Sequence, residues 1–229
     1  MPALRKPDNP RSRQGCRRYF SMPTLSGFHS RGYLPHLKAE GRAYFVTFRL
    51  ADSLPHEVIV RLKAHRADLL RRAEAEHRDS DDEERQALHR WYAEEVDRLL
   101  DRSTGENWLR HPGVADLVAQ ALRHFDGERY QLQAWTVMPN HVHVVVRPFG
   151  DYRLETILHT WKSFTAQHAN RLLDRVGRPF WQRESYDHLI RDDADLTGCC
   201  HYTEENPVKA GLCARPADWV WSSAHRTEV

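Results

Sequence analysis

The chain has 229 residues and a mass of 26.9 kDa, with 40% hydrophobic and 29% charged residues, the make-up of a globular protein that can bury a substantial core in one elaborated domain. No apolar run is long enough to span a membrane, and residues 1–8 lack the apolar core of a secretory signal, so a cytoplasmic protein is expected. Cys16, Cys199, Cys200 and Cys213 are too few and too irregularly spaced for a disulfide framework or a cysteine-only zinc site, and the formal net charge of +2 says little by itself about nucleic acid.

Charge distribution says more. Residues 1–35 carry Arg5, Lys6, Arg11, Arg13, Arg17, Arg18 and Arg31 against Asp8 alone, interspersed with prolines. Such a segment resists helix formation and reads as a basic, largely flexible arm, able to run along phosphates or simply to remain solvated, with Met22 as an alternative start. Residues 36–229 then form the main domain.

Residues 42–50 alternate aromatic and β-branched side chains after Gly41, which predicts the first strand, stopped at Asp52-Ser53-Leu54-Pro55. From 57 to about 105 the apolar spacing is helical, through Val58, Leu62, Leu69 and Leu70 and again through Leu88, Trp91, Tyr92, Val96 and Leu99. The polar run at 77–84 divides it into a helical hairpin. Val114, Leu117, Val118, Ala121, Leu122 and Phe125 mark the next amphipathic helix, closed by Asp126-Gly127. Residues 130–138 predict a second strand, turned back by Pro139-Asn140 into a third at 141–147 as its antiparallel neighbour. A helix over 154–173 is expected to bury Ile157, Trp161, Phe164, Ala169 and Leu172; a fourth strand follows at 186–191, then a last helix from about 194 to 205, stopped by Asn206-Pro207. This order is a ferredoxin-like α+β plan: an antiparallel sheet with a helical-hairpin insertion and an extra C-terminal helix.

Chemistry concentrates in two stretches. In Met138-Pro139-Asn140-His141-Val142-His143 the two histidines stand at i and i+2 of a strand, so both rings leave the same face, as a bidentate metal platform or as two rings at a frayed strand start. The turn before them puts both at the first exposed positions of that strand. On the last helix Tyr202 and Asn206 are four positions apart and share one face, either as a phenol and amide directed at the histidines or as a packed ring and a helix cap. Tyr186 competes as a nucleophile, although its strand setting favours packing and nothing four positions on can bind a metal.

These stretches resemble a known family. Met-Pro-Asn-His-Val-His followed by aliphatics is similar to the histidine-hydrophobic-histidine signature of HUH nucleases, in the version carried by single-tyrosine, IS200-like transposases. Phe28-His29-Ser30-Arg31-Gly32-Tyr33-Leu34-Pro35-His36, the first strand, Phe180-Trp181-Gln182-Arg183-Glu184-Ser185-Tyr186 and Tyr202-Thr203-Glu204-Glu205-Asn206-Pro207-Val208-Lys209 extend the likeness to the REP-associated tyrosine transposases from about Phe28 onward. The resemblance implies that His141, His143 and Asn206 hold a divalent metal and that Tyr202 attacks DNA. Its substrate would be DNA with short palindromic repeats and a flanking guide tetranucleotide, cleaved by transesterification through a 5′-phosphotyrosine. Thr203, where an aliphatic residue is expected, departs from the pattern.

The chemistry also follows from the groups themselves. A phosphodiester is anionic and repels nucleophiles; a divalent cation on a nonbridging oxygen neutralises that charge. Two neutral imidazoles and an amide leave the ion's charge intact and suit Mg²⁺ or Mn²⁺ in an open, partly oxygen-ligated shell. A phosphotyrosine conserves the bond energy, so rejoining needs no nucleotide, and the chain has no Walker loop. Arg17, Arg18, Arg31, Arg147, Lys162, Arg178, Trp181, Arg183 and Lys209 are candidate contacts to single-stranded or hairpin DNA, cations to phosphates and the indole to a base. A monomer or homodimer is expected, with no membrane partner. Two other readings stay open: a DNA-binding regulator on the same fold, and a metal-dependent RNA-processing enzyme.

Overall fold

A computed structural model describes residues 26–30, 35–38, 41–75, 94–102 and 105–225. The basic residues Arg17, Arg18 and Arg31, and the helical expectation at Leu88, Trp91 and Tyr92, lie outside the described residues. Across the boundary of the segment read as an arm, β1 (Ser26–Ser30) pairs antiparallel with β2 (Pro35–Lys38) as a separate two-stranded ribbon.

The main sheet has four strands, β3 (Tyr44–Arg49), β4 (Tyr130–Val137), β5 (His141–Pro148) and β6 (Tyr186–Leu189), in the spatial order β4-β5-β3-β6, with every neighbouring pair antiparallel. Numbered among themselves these strands run 2-3-1-4, the ferredoxin-like arrangement. The hairpin at Pro139-Asn140 fixes β4 against β5, while β3 is wedged between β5 and β6 with Thr47 opposite His143 and Tyr186. The helices are α1 (His56–Ala75), α2 over residues 94–101, α3 (Pro112–Arg123), α4 (Leu154–Leu172) and α5 (Asp193–Lys209). No helix among the described residues is long and apolar enough to cross a membrane.

Alternation along the strands divides the protein into two layers of unequal chemistry. Tyr44, Val46 and Phe48 of β3 with Val142, Val144 and Val146 of β5 face α3 and α4, which supply Val114, Val118, Leu122, Ile157, Trp161 and Ala169 to a dry core. One polar thread crosses it: the Trp161 indole donates to Tyr130 Oη at 2.9 Å, and Tyr130 Oη donates to Leu122 O at 2.8 Å. The opposite face carries Ala43, Phe45, Ala134 and Val145 beneath Leu196, Cys199, Cys200 and Tyr202 of α5. A bulge at Gln133 of β4 switches the parity of that strand, which sends Trp135 and Val137 to the dry core and Thr136 toward the α5 side.

Expectations for two helices are corrected here. Phe164 and Leu172 are 45% and 49% exposed rather than inward, because the buried stripe of α4 runs through Ile157, Trp161, Thr165 and Ala169 at four-residue steps. The last helix does not stop at Asn206-Pro207 but continues to Lys209 with Pro207 inside it. Proline removes one N–H bond, yet Asn206 and Pro207 are buried under the sheet, so tertiary packing holds the helical backbone for the short remaining turn. Ala210 N–H then bonds Asn206 O at 3.0 Å and Gly211, at φ +69°, closes the end. The chain beyond α5 returns along the outer edge of β4, where Val137 N–H bonds Trp221 O and Ser223 N–H bonds Trp135 O, both at 2.8 Å, covering that edge.

Candidate functional site

The register of β5 puts His141 and His143 on the α5 side, and their Nε2 atoms lie 3.0 Å apart. Each ring is held from behind. His141 Nδ1 meets Asn140 Oδ1 at 2.6 Å, and the Asn140 amide donates to Leu100 O of α2 at 2.9 Å. With its Nδ2 so engaged, Asn140 offers an acceptor, which makes His141 Nδ1 the protonated nitrogen and leaves a lone pair on Nε2. His143 Nδ1 meets Thr47 Oγ1 of β3 at 2.8 Å, a hydroxyl able to donate or accept, and the ring stacks on Phe45 at 5.5 Å. Holding the far nitrogen fixes the direction of each ring, and at His141 the tautomer as well.

Both imidazoles are 0% exposed. The expectation of two rings at an exposed strand start is therefore corrected: α5 crosses this face and α2 closes over the hairpin, two elements remote in sequence from β5. Burial has an electrostatic consequence. It draws His141 down to about 3, with the Arg49 charge adding to the effect, and His143 well below the usual imidazole value, with His141 and Lys209 contributing. Both are neutral at pH 7, the state a metal ligand requires.

Tyr202 stands on α5 with its ring edge toward His143, at 5.6 Å between centroids, and toward Phe45 at 5.7 Å. Its hydroxyl donates to Asp97 Oδ2 of α2 at 3.0 Å, and Lys209 Nζ lies 4.4 Å from its ring centre. Burial first, then the Asp97 carboxyl, raises the phenol's pKa. Asp97 is itself 5% exposed and pushed up to about 8, by burial that its bond with Tyr202 only partly offsets; Asp101, one turn on, is pushed up to about 6 by burial, countered by Lys209. One turn after Tyr202, Asn206 is 1% exposed, and neither its Oδ1 nor its Nδ2 has a hydrogen-bond partner among the described residues. An amide left this way costs about 1–3 kcal/mol, so a missing partner is implied at that position. A divalent ion fits it, since an amide oxygen completes the donor set of two imidazoles.

The proposed DNA contacts separate on inspection. Arg178, Arg183 and Lys209 are exposed, and Arg147 is half-buried with Nε unpartnered. Lys162 instead spends its ammonium on Gln182 O at 2.7 Å and Arg183 O at 2.9 Å, and burial brings it down to about 8. It fastens the 182–185 loop to α4 and leaves little for a phosphate. Trp181 is also corrected: at 8% exposure, with its indole donating to Thr165 Oγ1 at 2.8 Å and its ring against Phe48, it is core rather than a platform for a base. Tyr186 sits on β6 edge-on to Phe45 at 6.4 Å. Asn140, Thr47 and Asp97 were missed by sequence reading; the first two are adjacent to or aligned with the histidines, whereas nothing local marks Asp97.

Residues 109–206, which run from the approach to α3 through Asn206, match the family model described as transposase IS200 like. This stretch is thus similar to the IS200-like transposases, the same likeness that the sequence motifs carry. More particularly, it is similar to the REP-associated tyrosine transposases. It is 34% identical over 108 residues to one from Haemophilus influenzae, covering 42% of this chain and 60% of that protein. To one from Escherichia coli it is 31% identical over 100 residues, covering 42% of this chain and 56% of that protein. The chain therefore spans less than two thirds of the length of these relatives. A solved structure titled as a REP-associated tyrosine transposase bound to a REP hairpin aligns over 87% of this chain and 84% of its own, at 19% identity and a TM-score of 0.49.

Proposed function

We propose that this chain is a single-strand DNA endonuclease and transposase that cleaves and rejoins hairpin DNA through Tyr202, with a divalent ion held by His141, His143 and Asn206. The observation that supports it most is the conjunction on one sheet face of two neutral imidazoles with Nε2 atoms 3.0 Å apart, a tyrosine against one of them and a buried amide without a partner one turn later.

The ion, Mg²⁺ or Mn²⁺, would supply charge neutralisation at a nonbridging phosphate oxygen. Everything else falls to the chain. Thr47 and Asn140 hold the far nitrogens of the rings so that both near lone pairs can point to one centre. In the reaction, the Tyr202 oxygen forms a bond to phosphorus and the bond from phosphorus to the 3′ oxygen breaks; the phenol loses its proton and the leaving 3′ oxygen gains one. The 5′ phosphate stays on Tyr202, and attack by a 3′ hydroxyl reverses the step without loss of bond energy. Tyr202 Oη is engaged by Asp97, so this bond must yield before the oxygen reaches a phosphate. Of the candidate contacts, Arg178, Arg183, Lys209 and Arg147 are left to meet the DNA backbone.

Tyr202→Phe removes the hydroxyl alone. Cleavage of a hairpin with a single-stranded flank is expected to disappear while its affinity, measured by fluorescence anisotropy, stays within about twofold. Retained cleavage would move the nucleophile elsewhere and defeat the proposal.

A further inference from the structure

A second cluster of ligating atoms lies apart from the histidine pair, at the start of α5. His188 of β6 approaches Asp195 with Nε2 at 2.9 Å from Oδ2 and 3.2 Å from Oδ1. The Cys199 thiol lies 3.7 Å from Asp195 Oδ1. One ligand atom from each of the three residues falls within 4.8 Å of the others. Asp195 and Cys199 are i and i+4 on one helix, so they share a face, and that face meets the strand that carries His188. The geometry is fixed from outside: Asp192 Oδ1 caps the helix by accepting from Asp195 N–H at 2.9 Å, and Arg191 N–H holds Asp195 Oδ2 at 3.0 Å.

We propose that His188, Asp195 and Cys199 form a metal site for a thiophilic divalent ion such as zinc, which ties β6 to α5 just ahead of Tyr202. The donor set of one imidazole nitrogen, one carboxylate oxygen and one thiolate sulfur suits zinc far better than magnesium. With His188 and Asp195 side chains 21% and 27% exposed, solvent can supply the fourth ligand. Without a cation it is the thiolate of Cys199 that is disfavoured: burial and the neighbouring carboxylate push the group up to about 12. A cation between the two groups converts that repulsion into ligation, and the thiol proton leaves to solvent on binding. The consequence reaches the candidate active site through packing, because Cys199 and Tyr202 both pack on the cluster that contains Phe45, and His188 is the register partner of Phe45 on β6.

The test uses the full chain, stripped with a chelator and titrated with Co²⁺. A thiolate-to-cobalt charge-transfer band in the near ultraviolet should grow to a single equivalent. It should persist in Cys200→Ser and in His141→Gln/His143→Gln, and vanish in Cys199→Ser and His188→Gln. Zinc at about a hundredfold excess over its Kd should raise the Tm of the wild-type chain by roughly 5–10 °C and that of Cys199→Ser by far less. His188→Gln decides the matter if the cysteine variant fails to fold. Absence of the band, its survival in Cys199→Ser or His188→Gln, or its loss with His141→Gln/His143→Gln would overturn the proposal and leave the cluster as an ordinary His-Asp ion pair beside a thiol.

Discussion

A histidine buried without a charge partner is neutral, and here burial sets the neutrality while Asn140 and Thr47 aim the rings. Thr47 shows how much rests on one hydroxyl. Thr47→Val keeps the side-chain shape but removes the bond to His143 Nδ1, and is expected to lower Mn²⁺ affinity about 10–100-fold by calorimetry, with the fold retained. Unchanged affinity would mean that stacking between Phe45 and Tyr202 is enough to hold the ring. Asp97 gives a prediction in pH. Its folded pKa lies near 8, above that of the same group in an unfolded chain, so between about pH 4 and 8 the native state keeps a proton the unfolded state has released. Its contribution to stability is therefore full at low pH and is lost as pH rises through 8. Relative to Asp97→Asn, the wild-type chain should lose a few kcal/mol across that window in denaturant melts, and a pH-independent difference would show that Asp97 is ionised throughout.

At the scale of elements, periodicity made the strands legible. Tyr44–Arg49, Tyr130–Val137 and His141–Pro148 fall where alternation and the Pro139-Asn140 turn put them, because residues two apart share a face and meet the same covering layer, even where both faces are buried. What sequence could not supply was the covering of those faces. Whether His141 is exposed depends on α2 and α5, and whether Trp181 stacks on a base or fills the core depends on Thr165 of α4 and Phe48 of β3. The continuation of α5 through Pro207 is the same lesson for the backbone: local propensity argued for a stop, and burial of Asn206 and Pro207 outweighed it. A practical result is that replacing His141 or His143 by Ala is not a neutral edit, since it empties a filled position and strips a partner from Asn140 or Thr47. Glutamine is the better probe.

Across the whole molecule, the sheet separates two layers: one face is an apolar core with α3 and α4, and the other carries His141 and His143 on the side of α5, the helix that bears Tyr202 and Asn206. The family resemblance rested on motifs far apart in the chain, and the sheet order β4-β5-β3-β6 is what brings the histidine strand and the tyrosine helix together. Asp97 could not be found this way, because it comes from a helix inserted between strands and its partner is 105 residues distant. The central claim, that Tyr202 forms a covalent link to DNA, is tested most directly by polarity. A hairpin with a single-stranded flank, labelled at its 3′ end and incubated with Mg²⁺ or Mn²⁺, is predicted to yield a labelled protein adduct that peptide mass mapping assigns to Tyr202, while a 5′ label leaves with the released fragment. A 5′ label on the protein, an adduct mapped to Tyr186, or equal cutting of fully duplex DNA would contradict the account.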